Sequence, residues 1–314
     1  MGSGLWAPGV ALGTAGARRF WLYWPPDVQP DERLPMLVML HGCRQNAESF
    51  AASTRMNSLA RRERFLVLYP EQDRLAHSQG CWNWYGIDNG RAAIEVASIL
   101  QAIDQVCRRS PVDASKVAVV GLSAGACMAA LLAERHPERF KALVMHSGIA
   151  PGMAHSGLSA LTAMRGQRPI APRPTPSGAS ATAWPPLLVI HGDADAVVSP
   201  VNGEAAVQIW AEAAGAQAGA PRTIRRGQRY PVTVTDFKRD GFTAATWIAV
   251  HGLAHAWSGG VGDQAFSDPH GPDASRLVWA FASKQFRISA AASVVAASRG
   301  TPEALPACHA PAAA

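Results

Sequence analysis

The sequence predicts an α/β protein with a mostly parallel central sheet and helices on both faces. Short runs rich in valine, leucine and isoleucine alternate along the chain with longer stretches whose apolar residues recur at helical spacing. Strands of a parallel sheet are buried on both faces, so their sequences are continuously apolar rather than alternating. At 314 residues and 48% hydrophobic content, the chain is long enough for one large α/β core.

The buried strands are predicted from apolar runs of four or five residues. These runs cover residues 36–40, 65–69, 117–120, 142–145, 187–190 and 246–250. Two further segments, 18–24 and 231–236, mix polar with apolar residues and predict edge or antiparallel strands.

The intervening helices are predicted from apolar residues three and four positions apart. Within residues 91–109, Ile99, Ile103 and Val106 fall on one face, which indicates an amphipathic helix packed on the sheet. Further helices are predicted over residues 126–135, 201–214 and 274–286.

We expect residues 1–288 to form a single domain, although the length would also accommodate two. Within it, residues 166–186 are rich in Pro, Ser, Ala and Gly and lack periodicity, which predicts a long insertion loop. Such a loop either caps a site or only connects two strands. Residues 289–314 are rich in alanine with prolines near the end, and we expect this tail to be disordered.

Charge and hydropathy argue against two classes of partner. The formal net charge is +6, but the basic residues are scattered rather than clustered, so no nucleic-acid partner is expected. No apolar run reaches the roughly 18 residues of a membrane span, and the start lacks a basic leader followed by an apolar stretch. We therefore expect no membrane association and no partner protein, and either a cytoplasmic location or a secreted protein whose leader has been removed.

The cysteines do not form the dense pattern of a small disulfide-rich domain, and no C-x-x-C pair indicates a zinc or redox site. Because there are five of them, at least one stays unpaired within the chain, and a single bridge is left open. They are Cys43, Cys81, Cys107, Cys127 and Cys308.

The segment Gly121-Leu122-Ser123-Ala124-Gly125 follows the predicted strand 117–120 and precedes the predicted helix 126–135. A strand, a sharp turn and a helix form the context of the nucleophile elbow in the α/β-hydrolase fold. Glycines are needed there because the backbone around a tightly turned serine leaves little room for side chains. The sequence therefore predicts Ser123 as a nucleophile and residues 1–288 as an α/β-hydrolase catalytic domain.

A serine hydroxyl is a poor nucleophile until an adjacent base takes its proton, so a histidine and an acid must lie elsewhere in the chain. In this fold the order is Ser, acid, His. The predicted strand 187–190 runs into His191-Gly192-Asp193-Ala194-Asp195. We predict Asp195 as the acid and Asp193 as a neighbour that stabilises the turn.

The base is sought among the histidines that follow Asp195. His255 lies in a glycine-bounded loop directly beyond the predicted strand 246–250, and it is the predicted base. His251 and His255 are four residues apart, a spacing that suits a metal on a helix. The strand sequence and Gly252 argue against a helix at this point, so no metal is predicted.

A tetrahedral intermediate needs amide donors for its oxyanion, one from the residue after the nucleophile and one from the loop after an early strand. Ala124 supplies the first amide. Strand 36–40 leads into His41-Gly42-Cys43, so the Cys43 amide is the predicted second donor. His41 precedes the acid in the chain and is expected to be structural.

Several segments together resemble the esterases of the polyhydroxybutyrate depolymerase family, from about residue 18 to residue 286. Besides the Ser123 elbow, they are Leu40-His41-Gly42-Cys43-Arg44-Gln45, Tyr69-Pro70-Glu71-Gln72, Cys81-Trp82-Asn83-Trp84, Gly252-Leu253-Ala254-His255-Ala256-Trp257-Ser258-Gly259-Gly260 and Asp268-Pro269-His270-Gly271-Pro272-Asp273-Ala274.

This resemblance implies hydrolysis of short-chain hydroxyalkanoate esters, such as polyhydroxybutyrate or its oligomers, through an acyl-enzyme and without a cofactor. It puts Ser123, Asp195 and His255 at the triad positions and Cys43 on the oxyanion loop. Secreted members usually add a linker and a polymer-adsorbing module, which this sequence lacks, so soluble oligomers or small esters are the expected substrates.

Two alternatives stay open. Relatives of similar architecture cleave feruloyl or acetyl-xylan esters, and a non-catalytic binding protein could use the same scaffold. The resemblance also places Trp82, Trp84 and Trp257 near the site, either lining the substrate pocket or packing in the core. It makes Cys43 and Cys81 candidates for a disulfide, which a reducing cytoplasm would oppose.

Overall fold

The computed structural model describes residues 4–167 and 184–299, with side chains described as far as residue 291. Most of the predicted insertion at 166–186 lies outside these residues. Eleven strands form one sheet: β1 Leu5–Gly13, β2 Gly16–Trp24, β3 Leu34–Leu40, β4 Leu66–Pro70, β5 Val112–Leu122, β6 Ala142–His146, β7 Leu187–Gly192, β8 Gln217–Ala218, β9 Arg222–Ile224, β10 Val232–Arg239 and β11 Phe242–Val250.

The helices alternate with these strands along the chain. They are α1 Ala47–Thr54, α2 Met56–Glu63, α3 Arg91–Arg109, α4 Ala124–Arg135, α5 Gly157–Met164, α6 Val201–Ala214 and α7 Ala274–Arg299. Two short strands, β12 Trp257–Ser258 and β13 Ser267–Asp268, form a separate parallel pair.

The strand order in the large sheet is β1-β2-β4-β3-β5-β6-β7-β11-β10-β8, with β9 also paired to β10. The six predicted apolar runs lie in β4, β3, β5, β6, β7 and β11, which are parallel to one another. β2 and β10 pair antiparallel to this centre, as their mixed sequences predicted. The edge strand β1 was not predicted, because Pro8 and Gly9 interrupt its apolar pattern and an edge position tolerates such residues.

Helices cover both faces of the sheet, as the sequence predicted. Side chains of α3, α4 and α6 pack on one face in a core that includes Val38 and Val119. Side chains of α1, α2 and α7 pack on the other face in a core that includes Leu37 and Val120. Successive residues of β3 and β5 thus point to opposite faces, and this explains their continuous apolar sequence.

The expectation of a disordered tail from residue 289 does not match the start of that segment. α7 continues to Arg299, because the alanine-rich sequence beyond Phe286 has high intrinsic helix propensity. Residues 300–314 lie outside the described chain. The helices α1, α2 and α5 were not predicted, since each has only eight residues and offers too few turns for a periodic pattern.

The carboxyl ends of parallel strands meet at one edge of a sheet, where loops from several strands can share a site. Here the loops after β3, β5, β7 and β11 carry Cys43, Ser123, Asp195 and His255. None of the helices within residues 4–167 and 184–299 is both long and apolar enough to cross a membrane.

Candidate active site

Ser123 occupies the turn between β5 and α4 in a backbone conformation that is rare for a residue with a side chain, with φ 56° and ψ −122°. The flanking glycines make this turn possible. A Cβ atom on Gly121 would lie 2.2 Å from the carbonyl carbon of Gly125, and one on Gly125 would lie 2.1 Å from the Leu40 carbonyl oxygen. The Ser123 amide donates to the His146 carbonyl at 2.9 Å, which ties the turn to β6.

The structure brings the three predicted triad residues together in one hydrogen-bonded chain. His255 Nε2 lies 3.0 Å from Ser123 Oγ, and His255 Nδ1 lies 2.7 Å from Asp195 Oδ2. The His255 side chain is 9% exposed and the Asp195 side chain is fully buried. A neutral imidazole in this position is placed to accept the hydroxyl proton, with the carboxylate fixing the tautomer that can do so.

Asp195 is held as a carboxylate by several donors. Its Oδ1 accepts hydrogen bonds from the amides of Val197 and Val198 at 2.9 and 2.8 Å. Burial alone would raise the pKa of this carboxyl, but hydrogen bonds from His191, His255 and the Val198 amide outweigh it and hold the pKa well below its ordinary value. Asp195 therefore carries a negative charge beside His255 over the whole physiological pH range.

His191 is a partner of Asp195 that the sequence reasoning missed. It is fully buried, and its Nε2 lies 2.9 Å from the Val198 carbonyl oxygen and 3.3 Å from Asp195 Oδ2. Its place at the end of β7, four residues before Asp195, was the sequence signal that could have indicated this contact. Asp193 points away from this cluster and accepts from the Gly252 amide at 2.7 Å and from His251 Nδ1 at 2.9 Å. It thereby anchors the loop that carries His255.

Cys43 and Ala124 both line the cavity beside Ser123. Within the described part of the chain, neither amide donates a hydrogen bond to another protein group. The loop after β3 is fixed around them, since the Gly42 amide donates to Gln45 Oε1 at 2.9 Å. An oxyanion that develops at Ser123 requires amide donors without another partner, which is the state of both of these amides.

The structure contains a disulfide between Cys43 and Cys81. This bond joins the loop after β3 to the loop that precedes α3 and carries Trp82 and Trp84. The free cysteine Cys127 lies on α4 at the cavity wall, where burial raises the pKa of its thiol to about 12. The thiol is therefore neutral, and its sulfur accepts a hydrogen bond from the Ile149 amide at 3.1 Å.

The cavity beside Ser123 has a volume of about 330 Å³ and a largely apolar lining. Of the three predicted substrate contacts, only Trp84 lines it. Trp82 and Trp257 are fully buried and do not line it, which agrees with the alternative that they pack in the core. Sequence position placed them in the right loops but could not show which way each ring points. The lining residues that were not predicted include Tyr85, Ile149, Leu161, Met164 and Val198.

Trp82 and Trp257 instead contact buried histidines near the site. The Trp82 indole donates to the His41 carbonyl at 3.0 Å, and the Trp257 ring stacks on His146 with 5.0 Å between centroids. His41 accepts the Gln72 amide through Nε2 at 3.1 Å, so it is structural, as expected. These contacts explain why tryptophans occur in both segments even though only one lines the cavity.

A buried polar network holds the Trp84 loop against the sheet. Glu95 of α3 accepts hydrogen bonds from Gln72 Nε2 and Asn83 Nδ2, each at 2.6 Å, and from the Asn83 amide at 2.8 Å. Arg18 of β2 donates to Gln72 Oε1 and to Ser98 Oγ, each at 2.9 Å. Each polar group in this network has a partner, which is the condition for burying charge at low cost.

Comparison with known proteins identifies the family. The family model described as esterase PHB depolymerase matches residues 19–232, more than half of the chain. This chain belongs to the esterase PHB depolymerase family. The resemblance drawn from the sequence motifs is thereby confirmed.

The names of the relatives of this chain refer to three different ester substrates. Poly(3-hydroxyalkanoate) depolymerase C of Paucimonas lemoignei is 34% identical over 54% of this chain, which spans 42% of that protein. Feruloyl esterase B of Thermothelomyces thermophilus is 26% identical over 63% of this chain and 71% of that protein. Acetylxylan esterase A of Emericella nidulans is 26% identical over 66% of this chain and 70% of that protein.

Solved structures show the fold. The acetyl xylan esterase from Aspergillus awamori superimposes with a TM-score of 0.62 at 22% identity, covering 80% of this chain and 94% of that one. A fungal esterase from Rhizomucor miehei gives a TM-score of 0.58 at 15% identity, covering 91% of this chain and 84% of that one. The predicted α/β-hydrolase fold is confirmed.

Proposed function

We propose that this family member is a serine esterase that hydrolyses short-chain hydroxyalkanoate esters, with soluble polyhydroxybutyrate oligomers as its substrates. One observation carries the proposal: the hydrogen-bonded chain from Asp195 through His255 ends at Ser123 in an apolar cavity that Cys43 and Ala124 also line. Membership of an esterase family supports the same reaction class.

The reaction follows from the positions of these groups. His255 takes the Ser123 proton while Oγ attacks the ester carbonyl carbon, and the carbonyl oxygen becomes an oxyanion that accepts hydrogen bonds from the Cys43 and Ala124 amides. The imidazolium, stabilised by Asp195, then gives its proton to the departing alcohol and leaves an acyl-enzyme on Ser123. A water molecule deprotonated by His255 releases the acid and restores the hydroxyl.

The cavity supports a short aliphatic acyl or alcohol group as the recognised part of the substrate. Its volume of about 330 Å³ lies at the small end of ligand pockets, and Ile149, Leu161 and Met164 give it an apolar wall. The name of the Paucimonas relative, with which this chain shares 34% identity, supports a hydroxyalkanoate.

A feruloyl or acetylxylan ester is the second candidate substrate. Two relatives with these names match about two thirds of the chain, which is more than the depolymerase match covers. The rings of Trp84 and Tyr85 at the cavity offer faces on which an aromatic acyl group could stack.

A substrate panel separates the two candidates. We expect kcat/KM for the 3-hydroxybutyrate trimer methyl ester to exceed that for methyl ferulate and for acetylated xylan by at least tenfold. The Ser123→Ala variant should lose about three orders of magnitude or more of kcat on p-nitrophenyl butyrate, because the attacking oxygen is gone. Full activity in Ser123→Ala would overturn the mechanism. A preference for methyl ferulate would show that a feruloyl ester, rather than a hydroxyalkanoate ester, is the substrate.

A non-catalytic binding protein is separated from an enzyme by covalent labelling. A fluorophosphonate probe reacts with a serine only when a base activates its hydroxyl. We expect one probe per chain, attached to the peptide that contains Ser123, and no labelling of Ser123→Ala. A native protein that resists the probe would favour the binding-protein alternative.

A further inference from the structure

A second cavity, of about 510 Å³, lies on the sheet face that α7 covers, between β10, β11 and the first turn of α7. Its floor is apolar, since Val232, Val234 and Ile248 belong to the buried core on that face. Its rim is basic. The lining arginines are Arg55, Arg226, Arg229 and Arg276.

This cavity is separate from the catalytic one. No residue lines both, and the catalytic cavity adjoins the core on the opposite face, to which Cys127 and Ile149 belong. The loop of residues 251–256, which carries His255, lies between β11 and the short strand β12. Pro231, which follows the lining residue Tyr230, accepts a hydrogen bond from the His251 amide of this loop at 2.9 Å. The lining of the second cavity includes neither Ser123 nor a residue of this loop.

The lining carries a clear excess of positive charge. Asp273 is the one carboxylate among the described lining residues, and its Oδ2 lies 3.5 Å from Arg276 Nε. Arg226 has no hydrogen-bond or ion-pair partner for its guanidinium in the part of the chain that the structure describes. With four arginines and one aspartate, the lining residues carry a net positive charge that attracts a small anion.

Part of this rim is fixed in position before any ligand binds. Arg55 donates to the Gly259 carbonyl at 2.7 Å, and Arg229 donates to the Gly271 carbonyl. Gly271 belongs to the segment 268–274, one of the motifs named in the sequence analysis, and the catalytic site does not use it. A Cβ at Gly271 would lie 2.2 Å from Ser258 Oγ, so this glycine packs closely against β12 next to the lining residue Pro272.

We propose that this cavity is a second ligand site and that it binds an aliphatic carboxylate. Guanidinium groups pair with a carboxylate in a planar, two-bond geometry, and the floor of Val232, Val234 and Ile248 suits an alkyl chain. A hydroxyalkanoate oligomer has both parts, and that identification rests on the proposed function. The segment that lines this site at Tyr230 and Val232 is joined to the loop that carries His255 by the hydrogen bond from the His251 amide to the Pro231 carbonyl.

Binding is tested by calorimetry on the full chain carrying Ser123→Ala, so that no ligand is turned over. The probes are hexanoate, its neutral counterpart hexanamide, and inorganic phosphate. We expect saturable binding of hexanoate, with hexanamide and phosphate at least tenfold weaker, because one lacks the charge and the other the alkyl chain. Adding Arg226→Gln should weaken hexanoate binding at least tenfold, since this side chain has no structural partner to lose.

The matched control is Arg61→Gln, an exposed arginine on α2 that does not line the cavity. It should leave hexanoate affinity unchanged. Equal affinity for hexanoate with and without Arg226→Gln would overturn the proposal, as would phosphate binding as tightly as hexanoate. Because the assay requires no catalysis, failure of Ser123 to act as a nucleophile would not change its outcome.

Discussion

Asp195 is the residue on which the electrostatics of the site depend. One oxygen of its carboxylate accepts hydrogen bonds from two backbone amides, and the other lies beside two histidine rings. Its neighbour Asp193 has the same side chain two residues away but is paired with His251 at the surface. The sequence analysis chose Asp195 as the acid, with Asp193 as the neighbour that stabilises the turn. Burial and hydrogen-bond partners separate their roles.

Replacing Asp195 by Asn should lower kcat by about 10⁴-fold with little change in KM, because an amide stabilises the wrong imidazole tautomer and cannot support the imidazolium. Asp193→Asn is the matched control and should lower kcat by less than about threefold. Steady-state hydrolysis of p-nitrophenyl butyrate measures both. Equal losses in the two variants would contradict the assignment of the acid.

Trp82 and Trp84 are two residues apart but differ in what they touch. Trp82→Ala should destabilise the fold by about 3–5 kcal/mol, because it empties a fully buried site. Trp84→Ala should instead raise KM for butyrate esters several-fold with a smaller loss of stability, since this ring lines the cavity. Urea unfolding and steady-state kinetics on both variants check the pair. A larger KM effect in Trp82→Ala would contradict the geometry.

At the scale of secondary structure, the loop that carries Cys81 and Trp84 depends on the helix that follows it. Glu95 on α3 is 4% exposed and accepts three hydrogen bonds from Gln72 and Asn83. The carboxylate has only acceptors, which suits a site where every neighbour is a donor. The position of the cavity wall is therefore set by a residue that does not border the cavity.

Glu95→Gln should destabilise the protein by about 1–3 kcal/mol, because its amide group would face the Asn83 or Gln72 donors and leave a buried polar group unpaired. It should also raise KM, since the Trp84 loop would lose its anchor. The control is Glu48→Gln on the exposed side of α1, which we expect to change neither quantity. An unaltered urea midpoint in Glu95→Gln would refute the role of the network.

Most of the elements were predictable where one local rule decides them. The apolar runs predicted the parallel strands, because burial on both faces leaves no polar positions. The glycines around Ser123 predicted the elbow, because a Cβ does not fit at either position. The edge strand β1 and the helices α1, α2 and α5 were missed because Pro8 and short lengths remove the periodic signal. Ring orientations at Trp82 and Trp257, and the role of His191, depend on packing between distant segments.

At the scale of the whole molecule, two buried histidines link stability to pH. Burial lowers the pKa of His41 to about 4, and burial together with the nearby His191 and His255 lowers the pKa of His146 to about 3. Both values lie below the ordinary histidine value of 6.5. The unfolded chain therefore binds protons more readily than the folded protein below pH about 6.5.

The free energy of unfolding should consequently be highest above pH about 6.5 and fall as the pH drops toward about 4, by up to about 1.4 kcal/mol per pH unit for each histidine. His146→Gln keeps an acceptor for the Ser258 amide and removes one titrating group. We expect it to reduce the slope measured by urea unfolding between pH 6 and pH 4.5. An unchanged slope would contradict the linkage.

The central claim, that three distant parts of the fold converge to activate Ser123, is tested most directly by trapping the acyl-enzyme. Rapid mixing with p-nitrophenyl butyrate, acid quenching and mass spectrometry of the peptides measures where the acyl group resides. We predict a burst of one p-nitrophenol per active chain and a butyryl group on Ser123, both absent in His255→Ala. A butyryl group on another residue, or hydrolysis with no acylated peptide and no burst in the native protein, would contradict the account.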